Sequence, residues 1–155
     1  MYEPVSRAVA VSRLGAASFE FLHRTRVVLG AGVWPLALAE ARTCGRKVLL
    51  VSGASSLARL GLEPEIAEQA AHLGLVLQRF SVPREPDIEL ADSAGSLARS
   101  SGAEAVLAIG GGSALDVAKA AAVLATNPGS ARDYLEGLPG AGPRGIAAPP
   151  LAEGY

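Results

Sequence analysis

A single cysteine and two histidines are all the soft metal ligands this 155-residue chain contains. Cys44 therefore has no partner for an internal disulfide and no Cys-rich metal site can form, which fits a reducing compartment and an expected cytoplasmic location. The thiol itself is read as buried or inert. Aromatic residues make up only 5% of the chain although half of it is apolar, so the core has to be built from Ala, Leu and Val, as when alanine-rich helices pack on a sheet. There is no block of Lys and Arg, and the formal net charge is −1. Without a basic footprint, neither nucleic acid nor an anionic membrane is expected as a partner. Apolar runs all stop far short of the roughly 20 residues that cross a bilayer. Arg7 and Arg13 lie near the start, but no long apolar core with a cleavage site follows them, so a secretory signal is not expected. What remains is a soluble chain, long enough for one domain with a core of its own and too short for two of ordinary size.

The most informative stretch that is present runs from residue 105 to 119. Val106, Leu107, Ala108 and Ile109 form a short apolar run with β-branched members. Beyond them Leu115, Ala118, Ala122 and Val123 recur at the three- and four-residue spacing of a helix face. Between strand and helix lie Gly110, Gly111 and Gly112, which let another group approach the main chain closely. Ser113 stands where an N-cap is expected, with Asp116 three residues on, so the helix start resembles a capping box with Asp in the Glu position. The free N–H groups of the first turn and the positive end of the helix dipole make an anion site without Lys or Arg, suited to a pyrophosphate.

A regular alternation precedes this stretch. Strands are expected at residues 25–29, 47–51, 75–82 and 105–109, with helices at 34–44, 56–60, 63–73 and 88–101, and Gly45, Gly74 and Gly102 as stops. Strands alternating with helices of about ten residues predict a doubly wound α/β fold: a mostly parallel sheet with helices on both faces. In such sheets ligands lie beyond the carboxyl ends of the strands, where loops 53–56, 84–87 and 110–113 all fall. The expected organisation is an N-terminal arm at 1–18, a dinucleotide-binding domain at 19–136, and a Gly/Pro-rich tail at 137–155.

Residues 110–119, Gly-Gly-Gly-Ser-Ala-Leu-Asp-Val-Ala-Lys, followed by Ala-Thr-Asn at 125–127 and by Asp133-Tyr134, resemble the iron-containing (group III) alcohol dehydrogenases. The likeness extends over about residues 19–149 and corresponds to the amino-terminal, Rossmann-like half of such enzymes. It implies that Gly110, Gly111, Gly112 and Ser113 hold the cofactor pyrophosphate and that Asp116 lies near the cofactor or assists the helix start. An Asp or Glu after the second strand would bind the ribose 2′-hydroxyl of NAD. The turn instead reads Gly53, Ala54, Ser55, Ser56. Gly53, Ser55 and Ser56 are therefore cofactor-binding candidates that accommodate a 2′-phosphate, with NADP expected ahead of NAD. Ser55 or Ser56 acting only as a helix cap is the alternative, and Arg59 can add charge one turn later.

In this family a second, helical domain carries an aspartate and three histidines that bind iron or another divalent ion. His23 and His72 match none of those positions, and residues 145–152 depart from the threonine- and glycine-rich cofactor loop of the family. The expectation is a truncated chain with no metal ligands and no catalytic side chain, inactive by itself. A separate helical metal-binding domain is then a possible partner, and the oligomeric state stays open. The implied activity is hydride transfer between an alcohol and the nicotinamide. The alternatives are a stand-alone, non-catalytic nucleotide-binding module, or a related enzyme such as glycerol dehydrogenase, maleylacetate reductase or dehydroquinate synthase.

Overall fold

The computed structural model describes residues 25–135. The predicted arm and tail, His23 and residues 145–152 lie outside the described residues. The elements run α1 (Pro35–Cys44), β1 (Lys47–Gly53), α2 (Ser56–Leu60), α3 (Glu63–His72), β2 (Val76–Val82), α4 (Ile88–Ser101), β3 (Ala105–Ile109), α5 (Gly112–Thr126) and a 3-10 turn at Ala131–Tyr134. The three strands form one parallel sheet in the order β2-β1-β3, so the chain leaves β1 to one side and later crosses back to the other.

β1 is the central strand, and its side chains alternate between two cores, as a period of two requires. Leu49 and Val51 pack with Leu90, Ala94 and Ala98 of α4 and Val117, Ala118 and Ala121 of α5. Val48 and Leu50 belong to the opposite face, Val48 with Leu38 of α1 and Ala70 of α3, Leu50 with Leu57 of α2 and Ile66 of α3. Helices on both faces make the fold the doubly wound α/β arrangement expected. The small side chains allow close packing: a Cβ on the buried Gly95 of α4 would stand 2.5 Å from Leu124 Cβ of α5.

Local chemistry explains several boundaries. Asp87 caps α4 by accepting the Leu90 N–H at 2.8 Å, and Gly102 ends that helix in the left-handed region at φ 64° with its N–H bonded to Ala98. At the amino ends of the strands the Glu104 carboxylate accepts the backbone N–H groups of Lys47 (2.9 Å) and Arg46 (2.6 Å). These two bonds, the Lys47 one first, hold its pKa below the ordinary value of 4.5. At the far end of α5 the Asp92 carboxylate accepts the Ser130 hydroxyl and the Ala131 N–H, both at 2.6 Å, which fixes the 3-10 turn. That turn had no expected counterpart, although its capping box between Ser130 and Asp133 is local; only the Asp92 bonds depend on α4 being adjacent.

Three expectations are corrected. Residues 25–29 do not form a strand. Val27 and Leu29 are largely exposed, the sheet comprises β1, β2 and β3 alone among the described residues, and Arg26 and Val28 line a hollow of about 630 Å³ together with β3. Cys44 is exposed rather than buried, with only a long S–H contact to the Glu40 carbonyl. The capping box at Ser113 and Asp116 does not form: α5 starts at Gly112, with Gly111 as N-cap and no side-chain cap. Extended backbone at Gly111 lets the helix begin a residue before the first hydroxyl, which leaves Ser113 inside the first turn.

Candidate dinucleotide-binding site

The register brings the carboxyl ends of the strands level. Gly53 pairs with Val82 across β1 and β2, and Ser52 with Ile109 across β1 and β3. The loops after all three strands surround a crevice of about 400 Å³, lined by residues 53–56, Arg59, residues 82–85 and residues 111–114. This is the switch point of the sheet, where successive crossovers diverge and leave a cleft.

The glycines of the crevice fall into two kinds. At Gly53 a Cβ would overlap the Ser56 hydroxyl, and at Gly110 it would stand 3.0 Å from Ala114 Cβ and 3.4 Å from the Gly53 nitrogen. At both positions the chain packs on itself: Gly110 meets Ala114 and the Gly53 backbone, which cannot give way easily, whereas the neighbour of Gly53 is the Ser56 hydroxyl, which can rotate. Gly111 and Gly112 differ. Neither has a positive φ, and a Cβ on either would meet nothing within 4 Å. Neither backbone strain nor packing within the described residues demands glycine there. The space in front of them is what a close-approaching ligand needs.

α5 directs its amino end into the same space. The first intrahelical bond from its first turn is Leu115 N–H to Gly111 O at 3.2 Å, so the N–H groups of Gly112, Ser113 and Ala114 have no intrahelical acceptor. Ser55, at the N-cap of α2, makes no capping bond with its side chain, which leaves its exposed hydroxyl available to solvent or ligand. Gly53, Ser55, Ser56, Gly111, Gly112 and Ser113 thus line the crevice, and Gly110 borders an adjoining hollow with Ser56 and Gly111. Asp116 does not join them: it is exposed and paired with Lys119 at 3.2 Å, one turn along the helix. Arg84 and Glu85 enter the lining from the loop after β2. Topology placed that loop in the crevice, but no motif marks these two side chains as site residues.

The larger 630 Å³ hollow lies elsewhere, along the edge of β3 that pairs with no described strand, against α1, with lining residues such as Val33, Trp34, Ala37 and Leu107. The amino end of α1 borders it, but the Leu36 and Ala37 N–H groups are already bonded to the Val33 and Trp34 carbonyls, and the hollow lies away from the carboxyl ends of the strands. Among the described residues, no three His, Cys, Asp or Glu side chains converge on a metal position. His72 is the exposed last residue of α3.

Residues 24–152 match the model of the iron-containing alcohol dehydrogenases. The chain belongs to this family. As an iron-containing alcohol dehydrogenase family member it is 29% identical over 100 residues to a probable NADH-dependent butanol dehydrogenase 1 of Bacillus subtilis, a match covering 64% of this chain and 26% of the relative. The solved structure of NADH-dependent butanol dehydrogenase A from Thermotoga maritima superimposes with a TM-score of 0.67 at 32% identity, covering 72% of this chain and 29% of that one. An archaeal alcohol dehydrogenase from a Red Sea brine pool shares the fold, with a TM-score of 0.65 at 24% identity over 77% of this chain and 32% of that one. The chain spans about a quarter of the length of the curated relatives it matches. Within the described residues no helix is long and apolar enough to cross a membrane.

Proposed function

We propose that this family member binds a nicotinamide adenine dinucleotide in the crevice and orients it for hydride transfer to or from an alcohol. The observation that carries the reading is Gly111 and Gly112, two glycines that no packing within the described residues explains, at the amino end of α5. The cofactor, when bound, supplies the hydride chemistry. The pyrophosphate would lie on the N–H groups of Gly112, Ser113 and Ala114, where the helix dipole also favours an anion. Ser55 and Ser56 would face the adenosine ribose.

The preferred cofactor is NADP. Residues 53–56 present two hydroxyls and no carboxylate, and Ser55 is not engaged as a helix cap. The two butanol dehydrogenases named above are described as NADH-dependent, so the preference rests on this chain's own residues. Among the described residues no three His, Cys, Asp or Glu side chains converge on a metal position, so the reading assigns these residues the cofactor and not the metal. The exposed single thiol of Cys44 suits a reducing, cytoplasmic setting.

Titration of the chain with NADPH and NADH, followed by nicotinamide fluorescence and by competition with ADP-ribose, tests the proposal. Saturable binding that ADP-ribose displaces is expected, because the pyrophosphate is the anchored group. Absence of binding by either cofactor to the folded chain refutes it.

A further inference from the structure

The charged side chains of the crevice are unequally engaged. Arg84 is ion-paired with Asp87, whose other carboxylate oxygen caps α4, so its charge is held in place. Arg59 and Glu85 also line the crevice, yet neither side chain makes a hydrogen bond or ion pair with any described residue. A second hollow of about 500 Å³ adjoins the first and is bounded by Ser56, Arg59, Leu60, Gly110 and Gly111. Ser56, Arg59 and Gly111 border both, which places one unpaired guanidinium where the two hollows meet, beside the proposed pyrophosphate anchor.

We propose that Arg59 and Glu85 are opposed specificity-determining residues, Arg59 attracting the 2′-phosphate of the adenosine ribose and Glu85 repelling it. The inference rests on the dinucleotide reading of the same crevice and deepens it. A phosphate dianion in the junction gains a charge-assisted hydrogen bond from a guanidinium with no competing partner in the protein. The same dianion faces an unneutralised carboxylate on the loop after β2, which a ribose hydroxyl would instead meet as a hydrogen-bond acceptor. The outcome is a cofactor preference set by a difference between two exposed charges, smaller than a buried ion pair would give and weakened by salt. Because α2 and the β2–α4 loop belong to different crossovers, the opposition exists only once the sheet is assembled.

The test measures the affinities of NADPH, NADH and 2′,5′-ADP for the parent chain, Arg59→Ala, Arg59→Lys and Glu85→Gln. Arg59→Ala is expected to weaken NADPH and 2′,5′-ADP by about three- to tenfold, as for one partly exposed charge-assisted bond, while NADH stays within about twofold. Arg59→Lys keeps part of the preference, and Glu85→Gln tightens NADPH by roughly two- to fivefold without tightening NADH. If the parent binds both cofactors and Arg59→Ala leaves NADPH unchanged, or weakens both cofactors equally, this proposal is overturned while the dinucleotide reading stands. Failure of the parent to bind either cofactor overturns both.

Discussion

Gly111→Val separates a ligand cradle from an ordinary helix start. Gly111 is the N-cap of α5 at φ −82° and ψ −170°, an extended conformation that valine adopts readily, and its Cβ would project into open space. Valine is a poorer N-cap than glycine by about 1 kcal/mol, but it also restricts the unfolded chain by about 0.4–1 kcal/mol in the opposite sense. Net stability is thus expected to change by about 1 kcal/mol or less, or at most about 4–8 °C in Tm for a domain of this size. Binding should respond much more strongly. The isopropyl group occupies the position through which a pyrophosphate reaches the N–H groups of Gly112 and Ser113, and losing one hydrogen bond to a charged group costs about 1.5–3 kcal/mol, roughly 10- to 150-fold in affinity. Gly74→Ala provides the converse. Gly74 follows α3 at φ +66° with nothing near its Cβ, at the end of the sheet away from the crevice. Alanine there incurs about 1–2 kcal/mol of left-handed strain and leaves the affinity alone. Fluorescence titration with NADPH and thermal unfolding of the same samples give both coordinates. A Gly111→Val chain that stays folded and binds like the parent would show that the open space in front of the glycines is not a ligand position.

Three further outcomes test other parts of the argument. Ser55→Asp, on an exposed and unengaged N-cap side chain, should move preference toward NADH by about threefold or more in competition titrations, by offering a carboxylate to the ribose hydroxyl and repelling a 2′-phosphate; an unchanged ratio would remove the ribose from this turn. Gly95→Ala forces a Cβ to 2.5 Å from Leu124 Cβ between two helices, so a loss of about 1–3 kcal/mol in urea unfolding is expected, and a neutral result would mean that α4 and α5 are not in such close contact. The depressed Glu104 carboxyl gives a stability contribution that is full above its ordinary value of 4.5 and lost as pH falls through its lower folded value. The Tm difference between the parent and Glu104→Gln should therefore be largest near neutrality and shrink as the pH drops below 4.5, and a pH-independent gap would contradict the assigned hydrogen bonds.

Local sequence determined the elements whose signals are carried by a few adjacent residues. Asp87 before an apolar helical face and Gly102 after it mark α4 at both ends, because the cap bonds involve atoms within four residues of one another. The same holds for β3 and the three glycines, and those residues carried the family resemblance that the match over residues 24–152 shows. Packing across the sheet decided the rest. Residues 25–29 read as a strand because Thr25, Val27 and Val28 are β-branched, yet a strand needs a ladder, and this segment pairs with none of β1, β2 and β3. Asp116 read as a site residue from its place in the motif, while the actual start of α5 leaves it paired with Lys119 on the exposed face. The two kinds of glycine, one pair packed against the chain and the other open to solvent, look identical in sequence. Arg59, Arg84 and Glu85 come from segments up to 26 residues apart and become neighbours of one crevice only when parallel pairing brings the ends of β1, β2 and β3 level.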